Sequence, residues 1–294
     1  MIPKQLKPLL FMTLLFVLAC QEKSNIKIEE TYLNQLKTYK ENLAKGRITY
    51  LQIAGLFKLD SLQTFGKSKT NDIVFQVKGI PERLGTLIYK DTLYINPEAD
   101  LEFTTKTDTI SSMQMLPIDT DGNSLKMHYK HVSWQVITRS GNKYLRVWDE
   151  NNSAIDAFKG FTSYKPNPKM IFKGDFTYYD SKKEASVKSQ LGLSANTNFI
   201  GKLKFTHKNK THHLEVGPNG FTMVGDSTSG NETYGGGRYI YLDLPASNGN
   251  VTLDFNYLYN PPCSYNSYTT CLYPPRQNHL PFKILAGETI ARTN

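Results

Sequence analysis

The chain has 294 residues, with 35 lysines and arginines against 26 acidic residues and a formal charge of +9. That length is enough for one large domain or two smaller ones with real cores. The excess charge is dispersed, its longest clusters being Lys202-x-Lys204 and Lys208-x-Lys210, which argues against nucleic acid as a partner because such binding needs a concentrated patch with a reading element.

The chain opens with Lys4 and Lys7 and no acid near them, followed by an apolar run from Leu9 to Ala19 broken only by Thr13. The run is too short to span a bilayer and has the order of an export signal that is later removed. Val17-Leu18-Ala19-Cys20 resembles the lipobox of bacterial lipoprotein signals. The expectation is a signal peptide over residues 1–19, a lipid on Cys20 and a polar tether over residues 20–27. The partner is then the membrane, reached through the anchor at Cys20, and the compartment is the cell envelope. Loss of Lys4 and Lys7 with the signal leaves 275 residues and lowers the charge to +7.

Ile28 to Lys45 is predicted to be an amphipathic helix, with Ile28, Tyr32, Leu33, Leu36, Tyr39 and Leu43 on one face at helical spacing. Glu29 and Glu30 suit its N-terminal end and Gly46 a C-cap. From Arg47 onward the text is strand-like. Short β-rich runs at Ile73 to Phe75, Leu87 to Tyr89, Leu93 to Ile95 and Leu101-x-Phe103 are separated by Gly, Pro, Asn and Asp, as strands are. Val132-x-Trp134-x-Val136 and Leu145-x-Val147 alternate with period two around Ser140-Gly141-Asn142, a turn signal. The alternation returns at Leu203-x-Phe205, Leu214-x-Val216, Ile240-x-Leu242-x-Leu244, Val251-x-Leu253-x-Phe255 and Phe282-x-Ile284. The fold class is therefore all-β, with antiparallel sandwich or barrel sheets and one N-terminal helix. Residues 28–180 and 199–294 form two β-rich halves, with polar residues 181–198 as a candidate connector and residues 104–123 as an alternative seam.

With Cys20 lipidated, Cys263 and Cys271 remain of the three cysteines. An even pair at short range in an exported chain argues for a disulfide over a metal pair or two free thiols. No metal and no cofactor is expected. Gly225-Asp226-Ser227-Thr228-Ser229-Gly230 is not a nucleophile elbow, and no phosphate-cradling or zinc-protease motif occurs. His128-x-x-His131 would place its rings on opposite strand faces, and His207, His212 and His213 read as exposed strand histidines. Phe65-Gly66-Lys67-Ser68 with Asn71-Asp72-Ile73 resembles the opening of forkhead-associated domains, which read phosphothreonine. Lys67 replaces their arginine, however, and a generic hairpin explains the text better.

The C-terminal quarter is the distinctive text. It contains Thr228-Ser229-Gly230-Asn231-Glu232-Thr233-Tyr234 with Gly237-Arg238, then Asp254-Phe255-Asn256 and Tyr259-Asn260-Pro261-Pro262-Cys263. These strings resemble the uncharacterised bacterial family known as domain of unknown function 1684. Trp134 to Arg139, Tyr144 to Asp149 and Phe158 to Tyr164 look like the same family, so the resemblance extends over most of the mature chain. It implies no activity. The candidate ligand-binding residues are Glu232, Tyr234, Arg238, Asn256, Tyr259, Asn260 and Asn278, which lie on turns fixed by Gly and Pro. Arg238 is placed there to grip an anion through its planar fork, and the Asn and Tyr side chains to meet sugar hydroxyls. The competing reading has these residues close turns, with Arg238 paired to Glu232 or Glu288. The function these residues suggest is binding of a small anionic or glycan ligand. The alternatives are a hydrolase with Glu232 as general acid or base, assisted by Arg238 and Asn260, and a structural subunit of an envelope assembly.

Overall fold

A computed structural model describes residues 29–290. The expected signal peptide, Cys20 and the tether lie outside the described residues. The fold is mainly β, with one long helix at the N-terminal end.

That helix spans Glu30–Leu51, running past the Gly46 at which the sequence predicts its end. Glycine in a helix interior costs about 1 kcal/mol relative to alanine. Arg47 and Leu51, both buried beyond it, supply tertiary contacts that outweigh that cost. Tyr32 donates to Asp254 Oδ2 at 2.7 Å and Tyr39 to the Tyr257 carbonyl at 2.9 Å. The predicted face thus docks on the C-terminal half through Tyr32 and Tyr39, whereas Leu33 is exposed. Among the described residues no helix is long and apolar enough to cross a membrane.

The N-terminal half is a sandwich. A six-stranded sheet places Ile53–Lys58, Asn142–Asp149, Val132–Arg139, Met127–Tyr129, Phe103–Thr104 and Thr109–Ile110 side by side. A five-stranded sheet orders Ile73–Val74, Leu62–Gly66, Gly85–Tyr89, Leu93–Pro97 and Gln114–Met115. Both sheets feed one core, in which Trp134 meets Phe103 edge-on at 4.8 Å and Phe65 at 5.5 Å. Inward and outward residues alternate, so Val132, Trp134 and Val136 are buried while Gln135 and Arg139 stand on the opposite face. The predicted turn is present, with Ser140 and Gly141 both at positive φ, as a two-residue hairpin requires.

In the C-terminal half, Lys210–Val216, Ser194–His207, Ile171–Lys188 and Gly249–Asp254 form a four-stranded sheet. A ribbon of Phe221–Val224 and Arg238–Tyr241 packs against it across a shared core. Residues 181–198 are not a connector: they are the paired ends and turn of the hairpin made by Ile171–Lys188 and Ser194–His207. Polar residues suit the solvent face of such a hairpin, while Val187 and Phe199 are buried, and Phe199 packs with Met223 and Tyr239. Phe282-x-Ile284 is not a strand either. Ile284 is buried, but its N–H goes to Asp226 Oδ2 at 2.8 Å and its carbonyl to Arg238.

Cys263 and Cys271 form a disulfide, which contributes on the order of 2–3 kcal/mol for so short a ring on the chain-entropy model. Its loop joins the two halves. Asn266 Nδ2 donates to the carbonyls of Tyr50 and Ile53, each at 2.9 Å, and the Gln190 N–H from the hairpin tip reaches the Cys271 carbonyl.

Candidate functional site

The seven candidate residues do not converge on one open concavity. Arg238 is 2% exposed and its guanidinium is consumed internally. Nη2 bonds Asp226 Oδ2 at 3.0 Å and the Ile284 carbonyl, and Nη1 bonds the carbonyls of Ala286 and Glu288. Its charge partner is Asp226 rather than Glu232 or Glu288. Burial pushes the guanidinium's pKa down, against the opposing pull of Asp226. Asn278 is equally internal. Its Oδ1 accepts the Glu215 N–H at 2.7 Å, and its Nδ2 donates to the carbonyls of Glu215 and Met223. Asn256 bridges Asp254 to the backbone of Asn167. These three side chains stand in for the sheet ladder where the chain is irregular, because buried backbone groups must find partners.

Glu232 lies on a separate cavity with Tyr164 and Thr162. Its carboxylate pairs with Lys283 at 2.6 Å and accepts from Tyr164 at 2.9 Å, and these bonds, Lys283 first, hold its pKa below the usual carboxylate range. A carboxylate held in its ionised form has no proton to give, which argues against a general acid. Tyr234 is half-buried beside Tyr273, its hydroxyl 3.4 Å from Gln190 Oε1.

Tyr259 and Asn260 do line an opening, and the remainder of its wall was not read from the sequence. A cavity of about 510 Å³ lies between the N-terminal helix and the C-terminal loops. The helix contributes Tyr39, Asn42, Arg47 and Tyr50, with Gly46 between them; a Cβ there would meet nothing within 4 Å. The ribbon adds Phe221, Tyr239 and Tyr241, and the disulfide loop itself adds Tyr265. Backbone bonds from Tyr239 to Tyr259 and back, at 2.8 and 3.0 Å, fix the two rings edge to face at 6.0 Å. Tyr241 and Tyr50 stand at the rim, 59% and 43% exposed.

Arg47 is buried against this wall. Nη2 reaches both oxygens of Glu288, at 2.8 and 2.7 Å, and the guanidinium lies 4.9 Å from the Phe161 ring centroid. Glu288 Oε2 also accepts the Asn260 N–H at 2.7 Å. Asn260 Nδ2 donates to the Thr289 carbonyl at 2.9 Å, which sets the amide's orientation and leaves its buried Oδ1 with no partner. Burial raises the phenol pKa values of Tyr39, Tyr239, Tyr259 and Tyr265, so these hydroxyls stay neutral donors. The signal for the helix wall was present in the sequence. Continued past Gly46 at helical period, Tyr39, Leu43, Arg47 and Tyr50 fall on one side.

Other sequence candidates are structural. His207 and His212 pack on Phe282 at 4.4 and 5.0 Å, and among the described residues no cluster of three or more His, Cys, Asp or Glu is placed to hold a metal ion. The Gly66-Lys67-Ser68 segment is an ordered loop rather than a hairpin turn. Asn71 Nδ2 closes it onto the Ser68 and Glu82 carbonyls, and Lys67 is paired with Glu82 at 3.0 Å.

Residues 156–289 match a family model described as a protein of unknown function (DUF1684). Trp134 to Arg139 and Tyr144 to Asp149, which look like the same family in the sequence, lie outside the match. No curated protein matches the chain. Among solved structures, the solution NMR structure of an uncharacterized protein from Haloarcula marismortui is 26% identical, with a TM-score of 0.38, and the alignment covers 46% of this chain and 78% of that one.

Proposed function

We propose that this chain, whose residues 156–289 match the DUF1684 model, is a binding protein that takes a neutral glycan in the tyrosine-walled cleft. The observation that carries the reading is the convergence of six tyrosines and Phe221 on one opening. Tyrosine rings offer apolar faces to sugar C–H groups and phenols to sugar hydroxyls. A neutral ligand fits better than an anion, because Arg47 is the one cation in the wall and Glu288 already holds it. Binding fits better than glycoside hydrolysis, which ordinarily needs two carboxylates across the substrate; no carboxylate lines this cleft.

Calorimetric titration with a panel of neutral oligosaccharides tests the reading. Tyr241→Ala and Tyr50→Ala each weaken binding about tenfold and leave the melting temperature near wild type, since both rings are exposed. Failure of every saccharide to bind, or unchanged affinity in both variants, would overturn it.

We also propose that the protein is exported and held in the envelope by lipid on Cys20. The n-region lysines, the apolar run to Ala19 and Cys20 itself support this, as does the Cys263–Cys271 disulfide, which suits an oxidising compartment. Cys20→Ala releases the protein from membranes or leaves an unprocessed precursor. Membrane retention of correctly cleaved Cys20→Ala protein would refute the anchor.

A further inference from the structure

The outer face of the six-stranded sheet carries two arginines with no acid to answer them. Arg139 and Arg146 stand on the same face, because Gln135 pairs with Arg146 and Arg139 with Asn142 across the hairpin. Both guanidiniums turn toward one acceptor from the disulfide loop. Arg139 Nε is 3.2 Å and Arg146 Nη2 3.4 Å from Thr270 Oγ1. Arg139 has one further bond, to the Thr138 carbonyl at 2.6 Å. Arg146 Nε is buried with no partner at all, and neither arginine belongs to a salt bridge among the described residues. Beyond Arg146 the row of positive charge continues, with Lys126 Nζ 4.0 Å from the Trp148 ring centroid and Arg146 Cζ 6.0 Å from it.

Such an arrangement is unfavourable for the chain by itself. Two like charges near one another and partly out of water oppose each other's ionisation. Burial, and then Arg139, push the Arg146 guanidinium down to about 10, and burial pushes Arg139 down as well. A shared threonine hydroxyl does not neutralise two full charges. Elsewhere in the molecule a buried arginine has its carboxylate, as Arg47 has Glu288 and Arg238 has Asp226.

We propose that Arg139, Arg146 and the Thr270 hydroxyl form a binding site for a phosphate group at the seam between the N-terminal sandwich and the disulfide loop. A phosphate dianion balances the two charges. Its oxygens accept from the planar forks of two guanidiniums, and Thr270, which now accepts from both arginines, donates its own proton to a third oxygen. The Cys263–Cys271 bond holds Thr270 in place on the loop. The site is distinct from the tyrosine cleft, whose lining includes none of these three residues. The phosphate comes either from a soluble phosphate compound or from a phospholipid headgroup.

The test uses the full chain and intrinsic fluorescence, since Trp148 lies beside Arg146 and the only other tryptophan, Trp134, is in the sandwich core. Titration with sodium phosphate gives a saturable change that sodium chloride at matched ionic strength does not. Arg146→Gln and Arg139→Gln each weaken that response at least tenfold, and Arg146→Lys, which keeps charge but not the fork, recovers only part of it. In phosphate-free buffer Arg146→Gln melts at or above wild type, because it removes an unanswered charge. A second arm offers phosphatidylglycerol and phosphatidylcholine vesicles. Arg146-dependent sedimentation with the former, reversed by phosphate, assigns the source to lipid; saturation by phosphate without vesicle binding assigns it to a soluble compound. A response equal to that of chloride, variants that titrate like wild type, or a phosphate-free melt of Arg146→Gln well below wild type would each overturn the site.

Discussion

Arg238→Met lowers the melting temperature by about 6–20 °C. Breaking a buried ion pair by removing one partner costs roughly 3–5 kcal/mol, because the other charge is left uncompensated, and 1 kcal/mol moves the melting point of a domain of this size by about 2–4 °C. Here the stranded group is Asp226, whose carboxylate also accepts from the N–H groups of Thr228 and Ile284. Three carbonyls, of Ile284, Ala286 and Glu288, lose their donor at the same time. Arg238→Lys falls less far, since a single ammonium retains the charge but reaches fewer of the four acceptors. Replacing both partners, Arg238→Met with Asp226→Leu, restores part of the loss, and the double-mutant cycle gives the coupling directly. Thermal melts of the four proteins decide the matter. A fall of less than 3 °C in Arg238→Met would mean that the guanidinium is not a structural strut.

This arginine also marks the limit of what the sequence discloses. Period-two alternation identified Val132–Arg139 and Asn142–Asp149 with their turn, because Val132, Trp134, Val136, Leu145 and Val147 all enter the sandwich core. Likewise the apolar stripe of the N-terminal helix was legible, whereas its end was not. A local glycine signal at Gly46 competes with a long-range bond from Arg47 to a residue 241 positions away, and nothing local records the second. A dense set of donors and acceptors on turns looks the same in sequence whether it faces a ligand or the chain's own backbone. Arg238, Asn256 and Asn278 face the backbone, and each supplies bonds that no strand partner makes there: Arg238 to Ile284, Ala286 and Glu288, Asn256 to Asn167, and Asn278 to Glu215 and Met223. Tyr259 and Asn260 do line the cleft, but most of the rest of its wall comes from the ribbon and from the helix, two hundred residues earlier. Conversely, nothing in the sequence marks Arg139 and Arg146, since an arginine's missing carboxylate is visible only in three dimensions.

Arg47→Met is expected to act on stability and on the cleft together. Arg47 is the point at which the N-terminal helix is locked to the C-terminal half. It bonds both oxygens of Glu288 and lies over the rings of Phe161 and Tyr265. Without it Glu288 is buried with only the Asn260 N–H to answer its charge, a loss of roughly 3–5 kcal/mol. The helix retains the Tyr32 and Tyr39 bonds to Asp254 and Tyr257, so the predicted result is loosening of its C-terminal turns rather than complete release. Tyr50 and Gly46 lie on those turns and form one side of the cleft. Saccharide affinity therefore falls by more than in Tyr50→Ala, even at temperatures where the rest of the chain is folded. Limited proteolysis with trypsin reports the loosening as new cleavage after Lys45, a bond protected in wild type. Glu288→Gln separates charge from packing. It keeps one acceptor for Arg47 and leaves the rings untouched, yet strands the guanidinium's charge, so it melts early while the helix remains protected in its aromatic seat. Should both variants show the same proteolytic pattern as wild type and bind saccharide equally well, the Arg47–Glu288 pair would have no part in forming the cleft.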